Sequence, residues 1–150
     1  MLTTTTHLNL PGTARAALDF YASVFGGQAV VTTYGQLGLP PEAPGADKVV
    51  FGQLESPNGL RVMAYDIPGR TESFAGATRR EQGATITDRP FFVSVRGESL
   101  EEVAGYWAAL ADGGEVVEPL AASPWSAGFG MLTDRFGVTW VLDVAAPREG

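Results

Sequence analysis

Two stretches of the chain place apolar residues at every third or fourth position, and most of the remainder alternates. Over residues 13–26, Ala17, Phe20, Tyr21 and Val24 fall on one helical stripe, with Thr13 placed to cap the start and Gly26-Gly27 to end it. Over residues 99–112 a second helix is predicted. Its opening, SLEE, has the capping-box form, and Gly113-Gly114 stops it. Alternating or β-branched runs predict strands at 3–10, 28–34, 48–55 and 60–66, then at 90–96, 115–120, 128–133 and 138–144. Asn58-Gly59 marks a tight hairpin between two of them. Residues 36–47, rich in Pro and Gly, read as loop; residues 67–89, polar and poorly periodic, read as a linker with room for a short helix.

The two halves repeat. LNLPG at 8–12 aligns with VSVRG at 93–97, 85 positions on, and the helix-ending glycines Gly26 and Gly113 lie 87 apart. SPNGLRVMAYD at 56–66 matches DRFGVTWVLDV at 134–144, 78 apart. The chain therefore reads as a single α+β domain over 1–150, with a βαβββ module at 1–66, the linker at 67–89 and a second βαβββ module at 90–150. Each helix covers one side of a curved mixed sheet, so Phe20, Tyr21, Phe25, Tyr106 and Trp107 are expected in the core.

Charge narrows the partners. Ten Lys and Arg against seventeen Asp and Glu leave a net charge of −7, with no basic stripe for a nucleic acid. There is no Cys, which excludes disulfides, thiolate metal sites and a cysteine nucleophile. MLTTTTHLNL has neither a basic leader region nor a long apolar run, so a cytoplasmic protein without membrane association is expected. No nucleophile elbow, phosphate loop or dinucleotide fingerprint is present.

HLNLPGTARAALDFYASVFGG at the front and GFGMLTDRFGVTWVLDV at the back resemble the vicinal oxygen chelate superfamily, which includes glyoxalase I, extradiol dioxygenases, fosfomycin-resistance enzymes and bleomycin-binding proteins. The helix ending FGG, the TYG at 33–35 and the closing FGM-LTDRFGVTW are similar to its PhnB-like branch. The resemblance implies modules arranged around a U-shaped cavity, a homodimer, and, in metal-dependent members, ligands on the first and last strand of each module. Carried onto this chain with the offsets of 85 and 78, those positions are His7, Met63, Phe92 and Val141. One imidazole, one thioether and two hydrocarbons make a poor set for a divalent cation, so no metal and no cofactor is expected.

Alternation then assigns the cavity lining. His7 and Asn9 face away from Leu8 and Leu10, and Phe51, Met63, Tyr65, Phe92 and Val141 are expected on the same inner surfaces, with Trp125 and Phe129 supplied by SPWSAGFG. Trp140, next to Val141, is expected to face the helix. A wall of rings suits a small, flat organic ligand, oriented by a few polar groups. The first reading is thus a metal-free small-molecule-binding protein of the bleomycin-resistance type. A second is a glyoxalase- or dioxygenase-like lyase or isomerase that uses His7 as base or ligand. A third is a non-catalytic scaffold whose rings fill the cavity. Whether the protein turns anything over stays open at this point.

Overall fold

The computed structural model describes residues 1–74 and 76–147. One compact unit ends at Ser73 and a second begins at Phe74. The first contains β1 (Thr6–Leu10), α1 (Ala14–Phe25), β2 (Val30–Thr33), a 3-10 turn (Gly35–Leu37), β3 (Val49–Glu55) and β4 (Arg61–Asp66). Its sheet runs β1-β4-β3-β2, with β1 parallel to β4 and the other pairs antiparallel. The second unit contains β5 (Thr78–Glu81), β6 (Ala84–Thr87), β7 (Val93–Gly97), α2 (Leu100–Ala111), β8 (Glu115–Ser123), β9 (Ser126–Thr133) and β10 (Thr139–Val144). Its larger sheet runs β7-β10-β9-β8 in the same pattern of directions. Both units are thus mixed-sheet βαβββ modules, and the fold is the tandem α+β arrangement expected from the repeat.

The strands divide their residues between two environments. In the first module Leu8, Leu10, Leu54, Val62 and Ala64 are buried on the side of α1, which contributes Ala17, Leu18 and Tyr21. In the second, Leu132, Trp140 and Leu142 are buried with Val103 and Leu110 of α2. Trp140 therefore lies in the core, as expected from its alternation with Val141. A large buried apolar side chain contributes roughly 1.5–3 kcal/mol, so these two faces supply most of the drive to fold. Tyr21 and Phe25 are core residues, whereas Phe20, Tyr106 and Trp107 are only half-buried.

Helix ends are tied down by residues far away in sequence. Thr13 makes no side-chain cap to α1; Asp66 at the end of β4 does this work instead, its Oδ1 accepting from the Ala14 amide at 2.9 Å. Its Oδ2 accepts from Val49 N at 2.9 Å, so one carboxylate joins the helix start to the start of β3. At the other end Ser56 Oγ donates to Gly26 O at 2.7 Å and Asn58 Nδ2 to Phe25 O at 3.1 Å, so the β3–β4 turn covers the last carbonyls of α1. The second module solves the same problem with a cation: Arg135 Nη2 and Nε donate to Asp112 O at 2.9 and 3.1 Å. Ser99 caps α2 as the sequence predicts, accepting from Glu102 N at 3.2 Å.

Three expectations need correction. First, β1 starts at Thr6 rather than at residue 3, and β8 continues to Ser123 rather than stopping at 120. The added length of β8 is irregular, with register shifts on both sides of Glu118, beside Pro119, which has no amide to donate to a ladder. Second, among its described residues the linker holds no short helix but the hairpin β5–β6, whose turn puts Gln82 at φ 50° and Gly83 at φ 79°. Two successive positive φ values are the mark of the tight hairpin turn that suits strand twist. Third, the strand pairings equate β1 with β7 at an offset of 87, not 85. His7 pairs with Met63 and Ser94 with Val141, so the counterpart of His7 is Ser94 and not Phe92. Gly12, at φ 91°, lies in the turn after β1, whereas Gly97 ends β7 where a Cβ would stand 2.5 Å from Val103. The two glycines share a letter but not a role.

The corrected offsets hold elsewhere. Gly27 and Gly114, 87 apart, each bring the chain so close to the last strand pair that a Cβ would stand 2.5 Å from a carbonyl, that of Glu55 and that of Thr133. Those carbonyls are themselves 78 apart, so the glycine pairs after both helices serve one purpose: passing the chain under a strand edge where no side chain fits.

Candidate functional site

The side of the first sheet turned away from α1 carries the polar and ring-bearing half of the alternation. The His7–Met63 and Asn9–Tyr65 pairings place these four residues side by side on β1 and β4. Phe51 on β3 alternates with Gly52, which faces Leu18 of α1, and so joins them on the open side, 44% exposed. His7 and Asn9 are exposed, Met63 and Tyr65 half-buried. His7 Nδ1 lies 3.1 Å from Asn9 Oδ1, and its ring stands 5.6 Å from that of Tyr65 with a 56° tilt. In the tautomer that donates Nδ1–H to Asn9, Nε2 keeps its lone pair. Five of the candidate residues are therefore brought together on one face of one module.

The remaining candidates lie in the second module. Val141, half-buried, sits between Ser94 of β7 and Met131 of β9. Phe129 faces the same side, opposite Asp143, and the guanidinium of Arg80 lies over its ring at 5.4 Å. Arg80 Nη1 also donates to Thr85 Oγ1 at 2.9 Å, Arg80 Nε is 3.7 Å from Glu118, and Thr85 Oγ1 reaches Met131 Sδ at 3.6 Å. The β5–β6 hairpin thus lies across this face and leaves Met131 only 2% exposed. Trp125, at the β8–β9 turn, is 88% exposed and borders a depression of about 530 Å3 that also takes in Arg96 and Asp143. Phe92 precedes β7 and is half-buried.

Two polar groups here carry no advance mark in the sequence. Arg96 and Asp143 form a two-pronged pair, Nε to Oδ1 at 3.0 Å and Nη2 to Oδ2 at 2.8 Å. The hydrogen bond to Asp143, and then its charge, hold the Arg96 guanidinium above its ordinary pKa. This pair occupies the positions equivalent to Asn9 and Tyr65, so the two faces turned away from the helices differ in kind: neutral and aromatic in the first module, charged in the second. Asp134 is 4% exposed and accepts from Phe136 N, Val138 N and Trp140 Nε1, which makes DRFG a turn device. Among the described residues, no three His, Cys, Asp or Glu side chains cluster to hold a metal ion, and no helix is long and apolar enough to cross a membrane.

Two βαβββ modules, each with a parallel first-to-last strand pair and a sheet face turned away from its helix, define the class. The sequence profile of the Glyoxalase/Bleomycin resistance protein/Dioxygenase superfamily matches residues 7–142, and the chain belongs to that superfamily. Among solved structures it is similar to protein PA1353 from Pseudomonas aeruginosa, at 28% identity over 96% of this chain and 98% of that one, with a TM-score of 0.72. It is also similar to a PhnB protein from Bacillus cereus, at 26% identity over 96% and 100% of the two chains, with a TM-score of 0.68. A glyoxylase/bleomycin resistance protein/dioxygenase domain from Frankia sp. shares the fold at 17% identity, covering 100% and 94%, with a TM-score of 0.60. No curated protein sequence matches the chain.

Proposed function

We propose that this superfamily member binds a small, flat organic molecule without a metal, and that the open face of the first sheet supplies the principal contact. The observation that carries the reading is the row formed by His7, Asn9, Phe51, Met63 and Tyr65, which leaves rings and amide uncovered while the opposite face of the same strands is fully packed. Rings bury large area with little loss of freedom, and Asn9 and His7 give a ligand its orientation. The donor set supports the absence of a metal. The paired positions on first and last strands carry imidazole and thioether in one module, hydroxyl and isopropyl in the other, which does not fit a divalent cation. In the second module Phe92, Trp125, Phe129 and Val141 are the residues assigned to the ligand.

Amide-resolved NMR titration with a panel of aromatic heterocycles is expected to give saturable shifts at Asn9, Phe51 and Tyr65 that EDTA does not alter. Phe51→Ala should weaken binding about tenfold, equivalent to about 1.4 kcal/mol, without changing the melting temperature. Stoichiometric Ni, Zn, Fe or Mn in protein purified without chelators, or an absence of saturable shifts on this face, would refute the reading.

The free Nε2 of His7 favours one alternative, a metal-free isomerase or lyase with His7 as base. For that activity His7→Ala should abolish turnover and leave ligand uptake nearly intact. We also propose a homodimer, because the edge strands β2 and β8 leave Val30 65% and Val116 47% exposed, and an apolar strand edge favours pairing. Light scattering is expected to give twice the mass of one chain, and a monomer at micromolar concentration would contradict this.

A further inference from the structure

Beyond the ends of β1 and β4 the chain leaves the first sheet through Pro11-Gly12 and through Ile67-Pro68-Gly69. A cleft of about 400 Å3 opens between these turns and the loop carrying Tyr34, Leu39 and Lys48. All of its lining belongs to the first module. The loop is fixed rather than draped: Tyr34 N donates to Lys48 O at 3.0 Å, Gly35 N to Ala46 O at 2.8 Å, and Tyr34 Oη to Asp66 O at 2.8 Å. At Gly35 a Cβ would meet the Ala46 carbonyl oxygen at 2.9 Å, so the TYG turn is needed to bring this loop against the sheet.

The chemistry of the cleft is lopsided. Pro11, Leu39, Pro44 and Ile67 give it apolar walls, and two cations, Lys48 and Arg70, stand in it although the chain carries a net charge of −7. Lys48 Nζ donates to Gly12 O at 3.2 Å and, among the described residues, forms no ion pair within 4.0 Å. Asp66 borders the cleft, but each of its oxygens already accepts a backbone amide, from Ala14 and from Val49. Tyr34 adds no negative charge near neutrality, since burial first, then Tyr65 and Asp66, raise its phenol above the ordinary value.

We propose that this cleft is a second binding site, for a small aryl or alkyl carboxylate whose apolar body lies against Pro11, Leu39 and Ile67 and whose carboxylate pairs with Lys48. A single negative charge matches Lys48, which forms no ion pair among the described residues. A phosphate ester, with nearly twice the charge, would meet Asp66 and the acidic surface at greater cost. The apolar walls require a hydrocarbon part, which excludes simple inorganic anions as the preferred occupant. The site is separate from the open face of the first sheet, and the two proposals fail independently.

The test is an amide-resolved NMR titration of the full chain with phenylacetate and, in parallel, with neutral phenylacetamide. Phenylacetate is expected to give saturable shifts at Gly12, Gly45 and Gly69, and phenylacetamide to bind at least tenfold more weakly. Lys48→Met, which keeps the side-chain stem, should weaken phenylacetate at least tenfold. Leu39→Trp, which fills the cleft and leaves Lys48 in place, should abolish the shifts, with an unchanged melting temperature showing that each variant folds. Equal binding of acid and amide would overturn the proposal, as would persistence of the shifts in Leu39→Trp. So would phenylacetate shifts confined to Asn9, Phe51 and Tyr65, a result that would support the open-face site instead.

Discussion

Asp66→Ala is expected to cost roughly 2–6 kcal/mol of folding stability, because it leaves two buried amides, those of Ala14 and Val49, without their acceptor at about 1–3 kcal/mol each. Domains of this size have about 5–15 kcal/mol in total, so the variant stands near the threshold of folding. Urea titration should show a lower midpoint with an unchanged slope, and hydrogen exchange should show lost protection first at Ala14 and Val49. Asp66→Asn retains one carbonyl oxygen and should fall between wild type and alanine, since its amide nitrogen cannot accept the second N–H. Thr13→Ala is the control. Thr13 occupies the cap position but contributes no side-chain bond, so its loss should change little. An Asp66→Ala variant within about 0.5 kcal/mol of wild type would mean that water replaces the carboxylate at both amides.

This carboxylate also shows where reading the sequence reaches its limit. Alternation in LNL and RVMAYD, helical spacing around Tyr21, and glycine pairs after both helices are local signals, and they were enough to give the two modules and the open row of His7, Asn9, Met63 and Tyr65. Asp66 reaches Ala14 across 52 positions, and no local pattern announces such a bond. The same holds for Arg96 with Asp143, 47 positions apart. The β5–β6 hairpin went unread for a different reason: TRRE has no apolar alternation, and its turn uses Gln82 at a positive φ where Asn or Gly would have marked it. The offset of 85 failed because it matched Gly12 to Gly97 by letter, whereas β pairing counts positions from the partner strand. The error of two residues kept the facing, so the contrast in donors survived although the residue changed from Phe92 to Ser94. The cleft beside Lys48 is made by loops, whose course depends on contacts such as Gly35 against Ala46.

Trp140→Ala should destabilise the second module by about 3–5 kcal/mol, the usual cost of emptying a fully buried aromatic site. Two effects combine in that figure, and Trp140→Phe separates them. The smaller ring fills much of the volume but removes the Nε1–H that Asp134 Oδ2 accepts at 2.9 Å, for an expected loss of about 1–3 kcal/mol. Asp134→Ala deprives the Phe136 and Val138 amides of the same carboxylate and should cost at least as much. The double variant should lose clearly less than the two single losses added together, because both remove one shared bond. Strict additivity in chemical denaturation would show that the indole and the carboxylate act separately. The functional consequence follows from strand geometry. Trp140 and Leu142 hold β10 against the core, and only in that register do Val141 and Asp143 face the open side, where Asp143 meets Arg96. Loosening Trp140 therefore threatens the candidate ligand face through register, not through contact: Trp140→Ala should release the Arg96–Asp143 pair and broaden the amide signals of β10, while those of Asn9, Phe51 and Tyr65 in the first module stay sharp.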